Sequence, residues 1–214
     1  IMNISRAKDI LDYWFSKGVY TPDYDKWFLK SQDYDEEIRE KFGDLLKEAE
    51  QGKGYGWLVN KDSYVAYIIL MDQFSRHIYR GTGDSFKNDN GVMIFVELGF
   101  DLYKEQLKGY EFMFAFMPYM HTENLNYQKK GEKIFIEHKY LYRGVKRQLT
   151  SVNTTQSESV VNATLSPEPT NYDKEYEMLL SMESHVTGHR QVIQMFGRFP
   201  KRNSSLGRDN TLHE

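Results

Sequence analysis

The chain has 214 residues, 40% hydrophobic and 15% aromatic, with 28 Lys and Arg against 31 Asp and Glu for a net charge of -3. So apolar a composition can bury a core, which excludes wholesale disorder, and the lack of an overall basic field speaks against capture of nucleic acid or an anionic membrane. Zero cysteine excludes disulfides, thiolate metal sites and cysteine nucleophiles.

Apolar spacing predicts helices almost throughout. The first covers Ser5 to Phe15, with Ile10, Leu11, Trp14 and Phe15 at helical intervals, and no basic leader precedes it. Ile38, Phe42, Leu45, Leu46 and Ala49 mark a second, ended by Gly52 and Gly54. Asp62 or Ser63 can cap a third, running through Val65, Ile68, Met71 and Phe74 to about Tyr79. Further helices are expected over Asp89 to Leu98 and Lys104 to Met117, where Pro118 interrupts, and then over Glu123 to about Tyr142 and Tyr172 to Phe196. No stretch alternates with a period of two, so the expected fold is all-α, one helical domain over 1–214. Residues 144–171, rich in Ser, Thr and Asn and containing Pro167 and Pro169, read as a surface loop or insertion. No apolar stretch, Phe112 to Met117 included, approaches the about 20 residues that span a bilayer, so the expected setting is soluble and cytoplasmic.

Three clusters set polar side chains against apolar segments. In the first, Leu70 to Gly81, Asp72, Arg76 and Arg80 lie four residues apart and would share a helix face, with Asp72 placed to pair with Arg76. Gln73 and His77 form a second such pair. These residues follow an apolar run, and buried charges cost several kcal/mol unless matched, so the cluster reads either as an internal tie or as a pocket.

The second cluster is Met117 to Gln128. Thr122 is a natural cap for a helix beginning at Glu123, and His121 with a carboxylate two residues on suits an oriented base or a residue closing a helix junction. The third, His185 to Arg208, has His185 and His189 four apart with no further zinc ligands in a familiar pattern, so no metal is expected. It also holds Arg198, Lys201, Arg202 and Arg208 with no acid among them. Such cations suit carboxylate or phosphate, or alternatively pair with acids elsewhere in the chain.

LMDQFSRHIYRGT, MPYMHTENLNYQ and FGRFPKRNSSLGRDNT, with DYWF and KWF before them, resemble the motifs of the family known as domain of unknown function 924, from about Ile10 to Glu214. The resemblance implies a helical superhelix similar to tetratricopeptide-like folds, with degenerate repeats, and names no reaction or cofactor. Asp72, Gln73, Phe74, Arg76, Arg80, Pro118, His121, Glu123, Gln128, His189, Arg198, Phe199, Pro200, Arg202, Asn203, Gly207 and Arg208 match its pattern. Ser75, His77, Thr122 and Lys201 depart from it, and the last replaces a histidine, which argues against an essential base there.

Three functions are consistent with these residues. One is a pocket for a small anionic ligand, with Asp72, Gln73, Arg76, Arg80, Gln128, Arg198, Arg202, Asn203 and Arg208 as binding residues and His121, Glu123 and His189 available for proton transfer. The second is a scaffold for a peptide or protein partner. The third is a buried polar network that only fixes helix packing.

Overall fold

The computed structural model describes the backbone of residues 2–155 and 170–214 and the side chains of 2–142 and 170–214. The described residues are helical with no strand, an arrangement compatible with a tetratricopeptide-like superhelix. The α-helices are α1 (Arg6–Trp14), α2 (Tyr24–Phe28), α3 (Gln32–Glu50), α4 (Lys61–Ile68), α5 (Ser75–Ile78), α6 (Met93–Tyr103), α7 (Tyr110–His121), α8 (Leu125–Thr155) and α9 (Asn171–Phe196). None of the described helices is long and apolar enough to cross a membrane.

Helix α7 is the axis of the packing. Each of its residues from Tyr110 to Met120 is buried, and it touches α4, α6, α8, α9 and the segment between α4 and α5. A helix that is apolar all round has this environment as its only stable one. Pro118 therefore does not interrupt it. A proline removes one helical donor, yet the helix ends within a turn of it and neighbours on every side hold that turn in place. Gly131 of α8 and Gly99 of α6 mark two close approaches. A Cβ at Gly131 would meet Tyr119 Cβ at 2.6 Å, and one at Gly99 would meet the Tyr64 ring at 2.2 Å.

Between α4 and α5 the chain forms a π turn, Ile69–Phe74, entirely buried. Such a turn widens the helix and disturbs its carbonyl ladder. Here side chains cover the carbonyls involved: Ser75 Oγ donates to Met71 O at 2.7 Å, and Arg76 donates to Asp72 O at 2.8 Å. The row expected for Asp72, Arg76 and Arg80 breaks after Arg76, because α5 ends at Ile78 and Arg80 stands in the turn beyond it. Asp72 and Arg76 face the α7 side of the network, whereas Arg80 and His77 both bind Asp35 of α3.

Several boundaries differ from the sequence expectation for local reasons. Asn60, one turn ahead of the expected cap, accepts from Ser63 N at 2.9 Å and starts α4. Helix α6 begins at Met93 rather than Asp89, because 83–86 form a 3-10 turn and the residues after it continue in turns. Asn124, not Thr122, takes the backbone amides of Asn126 and Tyr127 at the head of α8. Helix α8 runs on to Thr155, so the first part of the expected 144–171 loop is helical in backbone, and residues 156–169 lie outside the described residues.

Candidate functional site

The site starts at the last residue of α7. His121 Nδ1 lies 2.7 Å from Asp72 Oδ1 and 2.9 Å from Oδ2. Asp72 is wholly buried in the π turn. Burial pushes its carboxyl up, but the Arg76 guanidinium and His121 outweigh this and hold it below the usual carboxylate range. For His121, burial and the same Arg76 lower the imidazole despite Asp72. The pair is therefore carboxylate and neutral imidazole. Nδ1 donates to Asp72, which leaves the lone pair on Nε2, and among the described residues Nε2 has no hydrogen-bond partner.

A ring of charge continues from this pair. Arg76 lies 3.5 Å from Asp72 Oδ1 and donates to both oxygens of Asp89 at 2.9 and 3.1 Å. Arg202 donates to Asp89 Oδ2 at 2.8 Å and, closing the ring, to the His121 carbonyl at 2.9 Å. Its guanidinium is sandwiched between Phe86 at 4.3 Å and Phe199 at 4.5 Å, which suits a delocalised planar cation. The α7 C-terminal carbonyls have no helical partner. Gln128 takes those of Met120 and Thr122, at 2.7 and 2.9 Å, and Arg202 takes that of His121.

The other expected site residues bind elsewhere. Glu123 accepts both arms of Arg208 at 2.7 and 2.9 Å and the Phe199 amide at 2.8 Å, tying the α7–α8 corner to the tail. Burial raises its carboxyl and Arg208 more than reverses that, to a net lowering. Arg198 pairs with Glu214 through two 2.7 Å bonds, and Asn203 donates to Asn210 and Glu214. Gln73 donates to Asp72 and to the Met117 sulfur. Arg76, Arg80, Arg198, Arg202 and Arg208 thus each meet a carboxylate of the chain itself.

His121 forms part of the wall of a cavity of about 440 Å³. Met113, Met117 and Met120 of α7, Met182 of α9 and Tyr24 and Phe28 of α2 make it mainly apolar, and His185, His189 and Ser181 complete it. The two rings of α2 are half-exposed and stacked at its mouth. His189 mirrors His121: its Nδ1 donates to the His185 carbonyl at 2.7 Å, and burial pulls its imidazole down to about 4. Two neutral imidazoles with unprotonated Nε2 atoms therefore border one apolar space. No three His, Asp or Glu among the described residues are grouped so as to hold a metal ion.

Sequence reading brought Asp72, His121 and His189 to this place but missed Asp89, the methionine wall and the α2 aromatics. Asp89 stands in a turn with no motif and meets Arg202 from 113 positions away. The methionines did leave a signal: 113, 117 and 120 share a helical stripe.

Two comparisons bear on identity. A solved structure of a protein of unknown function from Agrobacterium tumefaciens is similar to this chain, with a TM-score of 0.69 at 24% identity, covering 98% of this chain and 94% of that one. At that identity it speaks for the fold alone. No curated protein matches the chain. The family model for "bacterial protein of unknown function (DUF924)" matches residues 10–214, and with nearly the whole length covered the chain belongs to that family.

Proposed function

We propose that the apolar cavity receives a small molecule and that the Asp72–His121 pair moves a proton on it. The observation that carries this reading is one imidazole with Nδ1 held by a buried carboxylate and the ring itself in the cavity wall. A base so oriented needs no reorganisation before it acts, and a lowered basicity keeps it unprotonated at neutral pH. With water as the proton donor, His121 Nε2 takes one proton while the hydroxide adds to an ester carbonyl. Collapse then expels the alkoxide, which recovers that proton. Arg76, Asp89 and Arg202 serve as positioning residues: Arg76 pairs with Asp72, Arg202 holds the His121 carbonyl, and Asp89 joins the two arginines. His189 offers a second neutral nitrogen in the same wall.

Hydrolysis of p-nitrophenyl butanoate tests the reading. The protein should exceed the buffer rate, and His121→Ala should lose at least about a hundredfold of the excess, the lower end of general-base contributions. Equal rates for protein and variant would overturn it.

The scaffold reading keeps one observation in its favour. Ile94, Leu98 and Leu102 are all more than half exposed and lie four residues apart on α6, an apolar stripe of the kind that helix partners cover. Replacing all three by Ser should abolish any partner complex that rests on it and leave ester hydrolysis unchanged.

A further inference from the structure

The cavity beside His121 has a neighbour. A second space, of about 490 Å³, lies along the C-terminal half of α9 and shares His185 and His189 with the first as a common wall. Val192, Phe196, Phe199 and Pro200 make it apolar, and Lys201 stands at its edge. Lys201 differs from the other cations of its motif. Arg198, Arg202 and Arg208 are each matched by a carboxylate, whereas Lys201 has no carboxylate partner among the described residues and rests over the Phe199 ring at 5.6 Å.

We propose that the two spaces form one site for an amphipathic monocarboxylate, its apolar body between the methionines and α9 and its acid group at Lys201. Lys201 is exposed, so a carboxylate there stays partly hydrated while the chain behind it leaves water, which is how an amphipathic ligand is held at low desolvation cost. The field at that point favours an anion. Although Lys201 is exposed at the surface, partial desolvation and then the positive charges of Arg202 and Arg76 hold its ammonium below its ordinary value, and a bound carboxylate answers the repulsion among these three cations. Glu214 also borders this space, but both of its oxygens are taken by Arg198 at 2.7 Å, so its charge is already answered. This inference names the substrate class for the His121 site and rests on that reading: the acid group would sit on the far side of His185 and His189 from the reacting bond.

Calorimetric titration with sodium decanoate, 1-decanol and inorganic phosphate tests it on the full chain. Decanoate should bind saturably below about 1 mM, with decanol and phosphate each weaker by about fivefold or more, the scale of one exposed charge contact. Lys201→Gln, a surface change that should leave the melting temperature in place, should weaken decanoate by the same factor and leave decanol unchanged. Ser181→Trp, which fills the first cavity from an exposed position, should abolish binding of both. Decanoate affinity unaffected by Lys201→Gln, or absence of saturable binding, would overturn the inference. His121-dependent ester hydrolysis without decanoate binding would overturn this inference alone, and decanoate binding without such hydrolysis would overturn the proton-transfer reading alone.

Discussion

Asp72 and His121 stand 49 positions apart in the sequence and meet at 2.7 Å, the carboxylate out of contact with solvent and the imidazole in a cavity wall. The π turn that carries Asp72 and the helix end that carries His121 are both places where the backbone needs side-chain partners, and Ser75, Arg76, Gln128 and Arg202 supply them. The same residues that complete the backbone bonding therefore position the pair.

The Arg202–Asp89 pair should weigh heavily on stability. Both side chains are nearly inaccessible, and removing Arg202 leaves Asp89 with Arg76 alone and the His121 carbonyl without its donor. Arg202→Ala is expected to cost about 2–3 kcal/mol in urea unfolding. Lys8→Ala, which breaks a fully exposed pair with Asp12, should leave the urea midpoint in place, because solvent screens such a pair. Equal effects would show that the buried ring contributes nothing special.

Stability should fall on mild acidification. Burial lowers His77, His121, His138 and His189, the last two to about 4. Unfolded histidine titrates near 6.5, so between roughly 6.5 and 4 the unfolded chain binds protons that the folded one refuses, and unfolding is favoured as pH drops through that window. His138 stacks on Phe112 at 3.8 Å; His138→Gln should remove about 2 kcal/mol of the loss between pH 7 and pH 4. A pH-independent unfolding free energy across the window would contradict the burial of these rings.

The close contact of α7 with α8 rests on the missing side chain at Gly131. Gly131→Ala should destabilise by about 1–3 kcal/mol, since the new methyl would sit 2.6 Å from a buried tyrosine's Cβ. Gly188→Ala, in open space on α9, should be neutral or slightly stabilising. Urea midpoints of the two variants check the contrast.

Removing Arg76 should release the imidazole. Its guanidinium lowers His121 while Asp72 raises it, so Arg76→Gln is expected to move the His121 titration upward, and pH dependence of ester hydrolysis should move with it. A shift in the titration without a shift in the rate profile would separate His121 from the chemistry.

Much of the helical pattern was legible because apolar spacing reports burial directly, as in Ile38 to Ala49 and Val65 to Phe74. The pairing of motif arginines with acids was legible only as an alternative to ligand binding: charge alone does not say whether Arg208 meets Glu123 or a phosphate. The π turn was hidden because one inserted residue changes no composition, yet it carries the Asp72 that meets His121, while His77 and Arg80 beyond it turn to Asp35. The cavity was hidden because it is made by α2, α7 and α9 together, and no local window contains all three.

Long-range proton–nitrogen NMR of the His121 imidazole, assigned with His121→Gln and followed from pH 8 to pH 5, reads the state of the Asp72–His121 pair. The ring should be neutral at pH 7 with the proton on Nδ1, should titrate below about 6.5, and should show an Nε2 resonance that moves when decanoate is added. An imidazolium at pH 7, or a proton on Nε2 with Nδ1 bare, would contradict the proton-transfer reading.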